Sequence, residues 1–125
     1  MTTILAIPGS WRSGSYNLAL ARAAQALAPA GCTVELASIA AISVYDGDSE
    51  AAQGVPAPVA GLKDRIAAAD ALLLVTPEYN NSVPGPLKNA IDWLSRPASD
   101  LARVFGDKPT GLIGASPGPG GTRLA

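Results

Sequence analysis

The chain has 125 residues, of which 48% are hydrophobic and 15% charged, with a net charge of −1. That length bounds it to one domain over residues 1–125, the composition describes a folded chain, and the near-neutral charge supplies no attraction to nucleic acid or an acidic membrane. There is no histidine and a single cysteine, Cys32, which excludes His-dependent triads, the usual zinc ligand sets and an intramolecular disulfide.

Thr3–Ile7 is a short apolar run stopped by Pro8-Gly9 and reads as a buried strand. Ser15 to Ala28 contains no breaker and keeps Leu18, Ala21, Ala24 and Leu27 at helical spacing, until Pro29–Gly31 ends it. Thr33–Leu36 is a second strand, with Cys32 beside it a packed or semi-buried thiol, a reactive one being the alternative. Residues 38–58 carry turn chemistry at Asp46-Gly47-Asp48-Ser49 and read as a long loop, with or without a short helical turn. Val59, Leu62, Ile66 and Ala69 then mark one face of a helix whose other face takes Lys63, Asp64 and Arg65. Ala71–Val75 is apolar throughout, the pattern of a strand buried on both faces of a parallel sheet. Pro84 opens a helix with the stripe Leu87, Ala90, Ile91 and Leu94. Asp107-Lys108-Pro109 is a turn, Thr110–Gly114 a fourth strand, and Thr122–Ala125 the first turn of a further element. No run approaches the ~20 apolar residues of a membrane span. Ile4–Ile7 is too short for a signal peptide and follows no basic segment, so a cytoplasmic location is expected.

Alternating strands and helices with short connections imply right-handed crossovers and a parallel sheet. Such sheets take ligands beyond the carboxyl ends of their strands, where the strand order reverses. Loops 8–17, 76–84 and 115–121 all lie there, and they hold the unusual residues of the chain. The first has Gly9 and Gly14 for tight turning, hydroxyls on Ser10, Ser13 and Ser15, the guanidinium of Arg12 and the free N–H groups of a helix start. Together these form an anion cradle; a Ser-rich helix cap with a surface Arg is the plainer alternative. It is neither a P-loop nor G-x-G-x-x-G. The second loop, stiffened by Pro77 and Pro84, offers a flat, polar-edged shelf for a ring, or simply caps the next helix. Glu78 within it reads as a structural carboxylate tying loops together, a catalytic acid being the alternative. Gly114-Ala115-Ser116-Pro117-Gly118 matches the G-x-S-x-G nucleophile elbow but fails as one. The chain has no His base, and Pro117 removes the N–H an oxyanion hole would need. The segment is better read as a Gly-rich turn that lets a planar ligand approach the backbone. Arg123 beyond it faces either an anionic ligand or solvent.

Gly9-Ser10, Arg12, Ser15 and Asn17, with Thr76-Pro77-Glu78-Tyr79-Asn80, Ser82-Val83-Pro84-Gly85 and Leu87–Leu94, resemble the NADPH-dependent FMN reductase family of the flavodoxin-like superfamily. Within it they look closest to the chromate/quinone reductase branch. The resemblance runs through essentially the whole chain. It implies an α/β, flavodoxin-like doubly wound parallel sheet. The FMN phosphate would lie on Ser10, Arg12, Ser15 and Asn17, with Tyr16 in the same loop. The isoalloxazine ring would lie along Pro77, Glu78, Tyr79, Asn80 and Ser82, with Ser116 and Gly118 at its other edge. No protein side chain is implied as catalytic, because the flavin carries the chemistry, and no metal is implied. NADPH or NADH would donate electrons to a quinone, free flavin or oxidised anion. A homodimer or homotetramer is implied, with Trp93 either at its interface or in the core. Against the superfamily strand order 2-1-3-4-5, the chain reads as truncated after the fourth strand, which leaves that strand an edge. A shortened, inactive FMN-binding or structural form and a flavodoxin-type electron carrier are the alternatives to a reductase.

Overall fold

A computed structural model describes all residues, 1–125. β1 (Thr2–Pro8) lies in the middle of a sheet, with β2 (Cys32–Leu36) on one side, β3 (Ala71–Val75) on the other and β4 (Thr110–Ile113) beyond β3. The order β2-β1-β3-β4 is parallel throughout, with Ile4 opposite both Val34 and Ala71. The chain leaves β1 toward β2 and returns to β3 on the other flank. Loops 9–15 and 76–84 therefore leave neighbouring strands at the same edge, at the reversal point of the order.

Strand periodicity divides the core. Leu5, Ile7 and Leu72 point to one face, where they pack with Val59, Leu62 and Ile66 of α3 (Ala57–Ala68), Leu87, Ala90, Trp93 and Leu94 of α4 (Gly85–Leu94), and Val104 of α5 (Leu101–Phe105). Ala6, Val34 and Val75 point to the other face, against Ala21 of α1 (Tyr16–Ala26). Each such Leu or Ile contributes ~1.5–3 kcal/mol by leaving water. The helical stripes at Val59, Leu62, Ile66 and Leu87, Ala90, Leu94 are the ones the spacing predicts.

Several expectations need correction. Leu27 is exposed at the C-cap of α1 and not part of its packed stripe. Within residues 38–58 a two-turn helix, α2 (Gly47–Gln53), is capped by Asp46, whose carboxylate accepts from the Asp48 N–H. Pro58 belongs to the first turn of α3, where its missing N–H costs nothing. Lys63 is not on a solvent face. It is 3% exposed, and its ammonium donates to the Arg96 carbonyl at 2.6 Å and pairs with Asp100 at 2.5 Å. The segment responsible, a 3₁₀ turn (Ala98–Asp100) running into α5, is one the sequence pattern did not announce, because it is too short to show periodicity. β3 is only partly enclosed. Leu73, on the α1 face, and Leu74, on the α3–α4 face, are half-buried. Trp93 is core: 1% exposed, edge-on to Tyr45, with its indole N–H donating to the Ser43 carbonyl. Thr122–Ala125 does form a single turn, closed by the Ala125 N–H on the Thr122 carbonyl. No helix is long and apolar enough to cross a membrane.

Candidate functional site

Where β1 ends, Gly9 donates its N–H to the Val75 carbonyl and lies against Thr76; a Cβ there would sit 2.5 Å from the Thr76 hydroxyl oxygen. Only glycine lets the first two loops approach this closely. Ser15 follows as the N-cap of α1. Its hydroxyl accepts from the Leu18 N–H at 3.1 Å and donates to the Ser10 carbonyl at 3.3 Å, which folds the loop back on the helix start. The N–H groups of Tyr16 and Asn17, in the first turn, have no intrahelical partner. Arg12 stands over this turn, 6.0 Å from the Tyr16 ring centroid, and pairs with no carboxylate. Helix dipole, free N–H groups and an uncompensated guanidinium all favour a bound anion here.

The second loop is a tight hairpin. Tyr79 and Ser82 exchange backbone hydrogen bonds, and between them Asn80 and Asn81 have φ of 53° and 62°. Two consecutive positive φ values define a type I′ turn, which asparagine enters more readily than other side-chain-bearing residues. Glu78 is held in place: its carboxylate accepts from the Leu124 N–H at 2.6 Å. That bond ties the second loop to the turn that follows the third.

The third loop is clamped to the first by Asn17. Its amide nitrogen donates to the Ala115 carbonyl at 3.1 Å, and its amide oxygen accepts from the Ala115 N–H at 2.9 Å. Asn17 is 3% exposed. Gly114 is equally constrained, because a Cβ there would collide with Thr122 and with the Thr76 carbonyl. The Ser116 hydroxyl bonds to the Gly118 carbonyl.

Between the three loops lies a cleft of about 260 Å³ lined by Ser10, Arg12, Ser15, Tyr16, Asn17, Pro77, Glu78, Tyr79, Ala115, Ser116 and Pro117. Nine of the twelve residues singled out in the sequence line it. Asn80 and Ser82 instead build the hairpin that presents Tyr79, and Gly118 and Arg123 lie outside the wall. Ala115 and Pro117 line the cleft without having been singled out. Their flanking glycines, Gly114 and Gly118, were the available signal, since a Gly-bounded turn presents whatever lies within it. No group of His, Cys, Asp or Glu side chains forms a metal site.

The sequence profile described as NADPH-dependent FMN reductase matches residues 2–125. The chain belongs to that family. It is 49% identical over 122 residues to an NAD(P)H-dependent FMN reductase of Pseudomonas aeruginosa, and 43% identical over 122 residues to a 2-hydroxy-1,4-benzoquinone reductase of a Burkholderia species. Each comparison covers 98% of this chain and 64% of the relative, so the chain spans less than two-thirds of the length of these curated relatives. The solved structure of FerB, a flavoenzyme NAD(P)H:(acceptor) oxidoreductase from Paracoccus denitrificans, superposes with a TM-score of 0.89 at 41% identity. That superposition covers all of this chain and 66% of FerB. The flavodoxin-like fold of this family member, seen in its strand order and switch-point cleft, agrees with that superposition.

Proposed function

We propose that residues 1–125 form one FMN-binding domain and that the chain acts as an NAD(P)H-dependent reductase of quinones, free flavin or similar small acceptors. The observation that carries this reading is the convergence of three switch-point loops on one cleft, with anion donors at one end and a rigid shelf at the other. The donor set fits FMN. Ser10, Arg12 and the N–H groups of Tyr16 and Asn17 suit a phosphate. Ser15 shapes that cradle through its cap, and Asn17 holds the third loop against it. The one carboxylate in the wall, Glu78, is held on the second loop by the Leu124 N–H. Pro77, Glu78 and Tyr79, stiffened by the Asn80–Ser82 turn, lie along the ring; Ser116, with Gly118 behind it, closes the opposite edge. When bound, the flavin supplies the hydride chemistry, and the protein supplies binding, orientation and electrostatics. A donor kept reduced in the cytoplasm supports a cytoplasmic location. A homodimer or homotetramer is proposed on the resemblance to the family alone.

The test is FMN titration of the purified chain by flavin fluorescence quenching, followed by NADPH oxidation on addition of a quinone. Saturable binding with quinone-dependent turnover is expected. Absence of binding by a folded chain would overturn the reading, and binding without turnover would favour an electron carrier.

A further inference from the structure

Of the 11 residues that line the cleft, only Arg12 and Glu78 carry charge. Neither has an ion-pair partner. They stand on different loops, Arg12 over the first turn of α1 and Glu78 on the shelf. A phosphate in the cradle would satisfy the charge of Arg12. Nothing in the wall satisfies that of Glu78. Its one partner, the Leu124 N–H at 2.6 Å, is a neutral donor, which fixes the carboxylate in place without cancelling its charge. The backbone fixes it as well, since Pro77 precedes Glu78 and the hairpin closed by Tyr79 and Ser82 follows it. Glu78 is half-buried, so its field is screened less than that of a solvated side chain.

We propose that Glu78 is a fixed electrostatic residue that lowers the redox potential of the flavin, by disfavouring the reduced ring relative to the oxidised one. The proposal rests on the FMN reading. When FMN is bound, hydride transfer from NAD(P)H brings two electrons and one proton to a neutral ring, NAD(P)+ leaves, and the ring keeps one negative charge. A carboxylate held beside the ring raises the free energy of that charged form and leaves the neutral form nearly untouched. Glu78 therefore makes the reduced site a stronger electron donor. Its tether and its charge are separable, because Glu78→Gln keeps an acceptor for the Leu124 N–H and removes the charge.

The test is a spectroelectrochemical titration of the full chain with saturating FMN, wild type against Glu78→Gln, at neutral pH. Flavin fluorescence measures the affinity for oxidised FMN in the same preparations. Loss of the charge should favour reduced over oxidised FMN by about fivefold, the factor that ~1 kcal/mol gives. For a two-electron couple that is a rise in midpoint potential of about 20 mV. Glu78→Ala, which removes tether and charge together, should show the same rise and serves if the Gln variant fails to fold. Raising the salt from about 0.01 M to about 1 M shortens the screening length from ~30 Å to ~3 Å and should shrink the difference. Asp107→Asn, before the start of β4 and so at the opposite end of that strand from the cleft loops, should leave the potential where it is. Equal potentials in wild type and the Glu78 variants mean that both redox states are held alike, as by a purely structural contact, and would overturn the proposal while leaving the FMN reading intact. An equal rise in Asp107→Asn would also overturn it, by assigning the effect to net charge. Absence of FMN binding by the folded wild type would end the FMN reading and this proposal together.

Discussion

Asn17 is where two accounts of one residue diverge. By resemblance it holds the FMN phosphate; in the structure both ends of its amide are committed to the backbone of Ala115, 98 residues away. Asn17→Ala would remove two hydrogen bonds and leave a part-buried N–H and C=O unpartnered. Each net bond contributes ~1 kcal/mol and an orphaned group costs ~1–3 kcal/mol, so a loss of about 2–3 kcal/mol is expected. At roughly 4 °C per kcal/mol for a chain of this size, Tm should fall by about 8–12 °C. FMN affinity should fall with it, because Ala115–Pro117 would no longer be held at the cleft. Asn17→Asp sharpens the test. An ionised carboxylate still accepts from the Ala115 N–H but faces the Ala115 carbonyl without a proton to donate. That variant keeps one of the two bonds and should be less stable than wild type. Thermal melts and FMN titrations of both variants make the check. An unchanged Tm in Asn17→Ala with FMN binding lost would refute the clamp and return Asn17 to the phosphate.

Three further outcomes follow from the same geometry. Gly9→Ala forces a methyl onto Thr76 in a buried position and should cost about 1–3 kcal/mol in urea unfolding, as overpacking does; a neutral result would mean the two loops yield. Glu78→Gln keeps an acceptor for the Leu124 N–H and should retain turnover, whereas Glu78→Ala should speed amide exchange at Leu124 and weaken FMN binding. Loss of turnover in Glu78→Gln with binding intact would make Glu78 a proton donor. Acid should destabilise the chain through Glu50 and Asp100. The Tyr45 hydroxyl and then Arg96 hold the Glu50 carboxyl below its usual range, and Lys63 and then Arg103 do the same for Asp100. Depressed carboxylates stabilise the fold above their ordinary pKa and lose that contribution as pH falls through the lowered values. Glu50→Gln and Asp100→Asn should each flatten the decline in urea midpoint below about pH 4, and an unaltered slope would count against these pairs.

Local pattern determined much of this protein. Apolar runs of strand length, 3.6-residue stripes and the punctuation by Pro and Gly suffice to place all four strands and the three long helices, and right-handed crossover then brings three loops to one edge of the sheet. The residue types in those loops already spell an anion site beside a rigid shelf, because donors, turns and fixed φ angles are properties of the residues themselves. What no local pattern could decide is how those residues divide their hydrogen bonds. Asn17 and Ser15 look like phosphate ligands in sequence, yet their side chains are engaged with Ala115 and with the helix cap. Lys63 has the composition of a solvent face but is covered by a 3₁₀ turn more than thirty residues on. Trp93 is consistent with interface or core until Ser43 and Tyr45 are seen against it. Pairings across such separations depend on which segments the sheet brings together, and that information exists only in the tertiary structure.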